Sequence, residues 1–70
     1  MALDANSKQV KHARAWLKAM RAEVEARQAY VMEDEPRARE RARKRWLKVR
    51  GDWARMKIPS DESLAIARRS

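Results

Sequence analysis

Glu33-Asp34-Glu35-Pro36 is the stretch that decides how this chain folds. Proline disfavours helix in the residue before it and is at home in a helix's first turn. Three acids beside Pro36 suit a helix N-terminus, where the backbone dipole presents positive charge. The same acidic knob also offers a contact point for a basic surface. One helix therefore ends ahead of this tetrapeptide and another begins at it. Two long helices joined by so short a link pack antiparallel.

Upstream, the spacing predicts a first helix that begins near Asn6 or Ser7, with Asn6 as its N-cap, and runs to about Met32. Asn6 with Gln9 three residues on approximates a capping box. Val10, Ala13, Leu17, Met20 and Val24 recur at steps of three and four, and Val31 returns to the same stripe after Arg27 interrupts it. That is the period of an amphipathic helix, and this stripe is its expected packing face. Ala15, Ala19, Ala22, Ala26 and Ala29 form a second stripe nearly opposite. Alanine is a good helix former, which accounts for the stripe by itself. The alternative is a second packing face against a helix of another chain.

Downstream, a second helix is expected from Glu35 or Pro36 to about Lys57. Ala42, Trp46, Val49, Trp53 and Met56 hold a four-three-four-three spacing, and Ala38 extends it backwards. Gly51 lies inside this run, but the apolar register passes through it without a slip. Gly51 could end the helix, with Asp52 capping a new short one; the unbroken register favours continuity, at a local cost of about 1 kcal/mol relative to Ala. Ile58-Pro59-Ser60 makes the second break. Ser60 is a good N-cap, Asp61 and Glu62 follow it, and Arg68 and Arg69 close the segment. These signals predict a short helix over about 61–68. Its Leu64 and Ile66 either cover the end of the hairpin or reach a neighbouring subunit.

The chain has 70 residues, no cysteine, one glycine and two prolines. It is one domain at most, too small for a cleft walled on all sides. Chains of this size usually need a disulfide, a metal or a partner subunit. Without cysteine, and with His12 as the lone imidazole, association is the remaining option. The expected fold is all-α: an antiparallel helical hairpin plus a short C-terminal helix, dimerising into a four-helix-bundle-like assembly. Trp16, Leu17, Met20, Val24, Trp46, Val49, Trp53 and Met56 are its expected core or dimer interface. His12 is expected at the surface, and Tyr30, bordering the alanine stripe, is a candidate interface anchor.

No nucleophile has a base and an orienting partner at recognisable spacing, so neither catalysis nor a cofactor, metal or small-molecule substrate is expected. The absence of cysteine fits a reducing compartment. Met1-Ala2-Leu3-Asp4 lacks the basic and apolar regions of a leader, and no apolar run approaches a membrane span. A cytoplasmic protein without membrane contact is the expectation.

The formal charge is +8. Residues 1–35 hold six bases and six acids, whereas residues 36–57 hold ten bases and two acids. The net charge thus resides on the second helix. Its bases project as two groups flanking the apolar seam. Arg37, Arg41, Lys44, Lys48 and Arg55 form one, with Arg45 beside it, and Arg39, Arg43, Arg50 and Lys57 form the other. A solvated face is the plainest use of such charge. Two functions compete with it. Arg37, Arg41, Lys44, Arg45, Lys48 and Arg55 can dock on an acidic surface of another protein and inhibit or modulate it, Arg and Trp being the residues that dominate interface hot spots. Alternatively the same bases bind DNA or RNA through phosphates. No zinc finger, basic zipper or RRM-type aromatic motif is present to read bases.

In size and helical simplicity the chain resembles small bacteriophage-encoded host-takeover proteins. That resemblance implies binding to a host regulator or enzyme and disabling it. The Ala- and Arg-rich usage fits a high-GC source. In architecture the expected hairpin dimer is also similar to small plasmid RNA-binding four-helix bundles.

Overall fold

The computed structural model describes residues 4–69. Met1, Ala2 and Leu3, read above against a leader, lie outside the described residues, as does Ser70. Three helices account for the architecture: α1 (Lys8–Met32), α2 (Pro36–Ala54) and α3 (Asp61–Arg69). None is long and apolar enough to cross a membrane.

Each boundary has a local cause. Ser7, not Asn6, caps α1: its Oγ accepts the Val10 N–H at 3.2 Å. Asn6 belongs to the preceding turn, where its N–H donates to Asp4 Oδ1 at 3.1 Å. At the hairpin, Glu35 caps α2 by accepting from the N–H groups of Arg37 (3.1 Å) and Ala38 (2.7 Å), with Pro36 in the first turn. Glu33 in turn accepts the Glu35 N–H at 3.2 Å. Two of the three acids of the turn are thus engaged in building it.

α2 runs through Gly51 without a break but stops at Ala54, short of the expected Lys57. The Arg55 N–H bonds the Gly51 carbonyl at 3.2 Å and the Met56 N–H bonds the Trp53 carbonyl at 3.0 Å, tightening the last turn. Pro59 then biases Ile58 away from helix. Ser60 restarts the helical path by accepting the Ser63 N–H at 3.2 Å. α3 extends to Arg69, one residue beyond the expected end.

α1 is packed on two sides, and both neighbours belong to its own chain. α3 runs in the same direction as α1: Ser60 and Ser63 lie beside Lys8, Gln9 and His12, and Ala67 and Arg68 lie beside Leu17, Met20 and Arg21. His12, expected at the surface, is half-buried. Its Nε2 bonds the Lys57 carbonyl at 2.7 Å and pins the link between α2 and α3. The small core consists of Val10, Ala13 and Ala67, with Leu17, Leu64 and Ile66 packed against it. Ser63 is only 2% exposed. Ser63 and Ala67, one turn apart, are small enough to let α3 approach α1 closely, with Leu64 and Ile66 on either side.

The α1 face toward α2 corrects the expected seam. It is made by Trp16, Glu23 and Tyr30, which meet α2 side chains, with Ala26 buried between them. This line lies between the Val/Leu/Met stripe and the alanine stripe. The first half of the Val/Leu/Met stripe faces α3 instead. Leu17, Met20 and Val24 are half-buried, and Val31, expected to rejoin that stripe, is 67% exposed. Of the alanine stripe, Ala26 is buried and Ala15, Ala22 and Ala29 face solvent. On α2 the seam positions Ala38, Ala42, Trp46, Val49 and Trp53, and Met56 just beyond its end, are all half-buried. The whole is a rod of 52 × 21 × 15 Å.

Candidate macromolecular docking face

The hairpin register decides which bases of α2 are left for a partner. Three rungs set it. The Arg39 guanidinium lies 5.0 Å over the Tyr30 ring. Trp46 donates its Nε1–H to Glu23 Oε1 at 3.0 Å and stacks on Tyr30, with centroids 5.6 Å apart and planes 13° from parallel. Trp53 packs on Trp16 at 5.5 Å, tilted by 52°. Steps of seven along α2 meet steps of seven back along α1, so the residue numbers across each rung add to the same total. Heptad spacing of this kind keeps one face of a helix on its neighbour.

The two basic groups of α2 now separate. Arg39 is committed to Tyr30, and Arg50 lies 5.8 Å over the Trp46 ring. Both distances are within cation–π range. Arg43 pairs with Glu40 at 3.5 Å. Arg39 and Arg50 thus cap aromatic rings of the seam, and Arg43 is engaged by an acid of its own helix. On the other side, Arg37, Arg41, Lys44, Lys48 and Arg45 are exposed. Among the described residues their side chains have no ion pair or hydrogen bond.

Arg55, expected to continue this second group, is withdrawn from it. It is the C-cap of α2, its Nε donates to the Gly51 carbonyl at 3.2 Å, and its guanidinium pairs with Asp52 at 2.7 Å. Lys57 lies beyond the helix altogether. From Arg37 to Lys48 the open row is about 16 Å long at 1.5 Å per residue. It carries one base per helical turn or better, and its neighbours on the outward face are Leu47, 42% exposed, and Gly51.

Glu23 is the residue that sequence reasoning missed. It is 7% exposed, a carboxylate inside an aromatic seam, with Arg27 Nε 4.0 Å away. The signal that marks it is its place seven residues from both Trp16 and Tyr30. Trp53 is the contrasting case, because its buried Nε1 finds no acceptor among the described residues. Among the described residues no cluster of His, Cys, Asp or Glu could hold a metal ion. What the α2 face can do chemically is attract and hold anionic groups along a line. No protein-family model matches the chain, and neither a curated protein nor a solved structure matches it.

Proposed function

We propose that this chain is a non-enzymatic docking protein that holds the phosphate backbone of a nucleic acid against the outer face of α2. The observation that carries the reading is the unpaired row Arg37, Arg41, Lys44 and Lys48, exposed along one side of α2. Such a row is prepaid electrostatics: the bases repel one another in the free protein and lose that repulsion when phosphates lie between them. The tryptophans weigh against an α2-docked protein partner as the first choice. All three are half-buried, with ring contacts inside the hairpin, so they do not serve this face as aromatic anchors.

The test is binding to random-sequence duplex DNA and to RNA as a function of salt. Each neutralised phosphate contributes about −0.9 to the slope of log affinity against log salt on duplex DNA, so four contacts give roughly −3.6. Replacing Arg41, Lys44 and Lys48 together by Glu should abolish binding while the helical circular-dichroism signal stays. Failure of the wild-type chain to bind either polymer at physiological salt sinks the reading.

A second reading retains one observation. Leu47, 42% exposed among these bases, is an apolar contact suited to an acidic protein surface that the chain inhibits or modulates. A chain that ignores nucleic acid but loses a protein target on the same triple reversal establishes that alternative.

Pairing of two hairpins into a four-helix assembly belongs to the proposal. The chain exposes 5764 Å², against roughly 4,500 Å² for a compact monomer of its mass. The excess exceeds the roughly 800 Å² that one partner contributes to a standard interface. Sedimentation at micromolar concentration should therefore report a dimer.

A further inference from the structure

We infer that the groove around the C-terminal end of α3 is a second docking site, fitted to an acidic amphipathic helix of a protein partner. α1 carries an apolar stripe that α3 covers over only its first half. Val10 and Ala13 are buried beneath α3. Beside Ala67 lies a groove of about 620 Å³, lined by Arg14, Leu17, Lys18, Met20, Arg21, Ala67 and Arg68. Its floor is apolar: Leu17, Met20 and Ala67. Its exposed rim is cationic: Lys18 and Arg21 on α1 and Arg68 on α3. No acid lines it. The apolar line then continues along α1 through half-buried Val24 to exposed Val31.

The occupant follows from combining floor and rim. An apolar floor between helices takes the apolar face of a further helix, with anchors at i, i+3 or i+4, and i+7. Three exposed bases at the edge select a helix whose flanks are acidic, because like charges brought together at an interface are costly. That rule disfavours the same groove of a second copy, which brings the same three bases. A bare phosphate polymer leaves the floor unused. This surface uses none of the α2 bases, so the inference stands or falls independently of the nucleic-acid reading.

The probe is a fluorescein-labelled synthetic helix with Leu at i, i+4 and i+7 and Glu on both flanks, compared with a scrambled peptide of identical composition. The ordered peptide should bind the full chain saturably, and amide shifts should move at Leu17, Met20 and Ala67. Lys18→Glu with Arg21→Glu should weaken binding by about tenfold or more. Arg68→Glu on α3 should weaken it too, which guards against a folding defect confined to α1. The triple reversal on α2 should leave the peptide's shift map unchanged. Equal binding of the scrambled peptide, indifference to both sets of rim variants, or shifts mapping to α2 overturns the inference. Binding to anionic vesicles with none to the peptide overturns it as well and assigns the groove to lipid.

Discussion

Trp46 donates its indole N–H to the buried carboxylate of Glu23 at 3.0 Å, and this one hydrogen bond ties the middle of α2 to the middle of α1. An acid at the centre of a seam is costly unless it is hydrogen-bonded, and here the indole donates to Oε1, with Arg27 Nε 4.0 Å from the same oxygen. Glu23→Ala leaves the indole N–H without its acceptor and opens a gap beside it. The expected cost is about 1–3 kcal/mol. Glu23→Gln keeps an acceptor at the same reach and should cost clearly less. Urea denaturation of the three proteins decides the matter: equal midpoints for wild type and Glu23→Ala would mean that the bond contributes nothing.

That seam also shows where sequence reading succeeds and where it stops. The α2 face was legible because Trp46, Val49 and Trp53 are bulky, apolar and regularly spaced on a helix otherwise dominated by charge. On α1 the same procedure marks the most hydrophobic stripe as the packing face and does not say which neighbour covers it. Val10 and Ala13 are indeed covered, but by α3, a helix of only nine residues whose docking direction no periodicity specifies. The true α2-facing line contains a glutamate and an alanine, and hydrophobicity alone ranks it low. The inequality of the two basic groups was out of reach for a related reason. It depends on which arginines come to lie over Tyr30 and Trp46, and that is set by the register between the helices.

This inequality leads to opposite expectations for chemically similar substitutions. Arg39→Ala and Arg50→Ala remove cations that lie over aromatic rings, so each should lower stability by about 0.5–1 kcal/mol. Neither should change the salt slope of polyanion binding by as much as one phosphate contact. Arg41→Ala and Lys48→Ala should behave the other way. Stability stays within about 0.5 kcal/mol of wild type, as for ordinary surface changes. The slope becomes shallower by about 0.9 for each base removed. Thermal melts and fluorescence titrations on the four variants test the division, and a uniform loss of affinity across all four contradicts it.

Gly51 sits inside α2 with no backbone need for glycine, since no described glycine has positive φ. A Cβ built there meets only the Arg55 guanidinium, at 3.9 Å, which is ordinary van der Waals distance. Gly51→Ala should therefore stabilise the fold by about 0.8–1.0 kcal/mol, the propensity difference between the two residues. For a domain of this size that raises the melting temperature by roughly 4–8 °C. A lower melting temperature contradicts a continuous helix with an open outer face at this position.

The α3 contact rests on small side chains, and enlarging one tests how closely that helix is held. Ala67 is buried against Val10 and Ala13, in a core with few members to share a displacement. Leucine at this position cannot enter without pushing α3 outward, and overpacking of this kind typically costs 1–3 kcal/mol. The seam between α1 and α2 is built from other residues, so the damage should be local. Hydrogen exchange on Ala67→Leu should show amides of α3 losing protection while those around Glu23 and Trp46 keep theirs. Loss of protection in all three helices together would show instead that the chain unfolds as one unit and that α3 is part of what stabilises the hairpin.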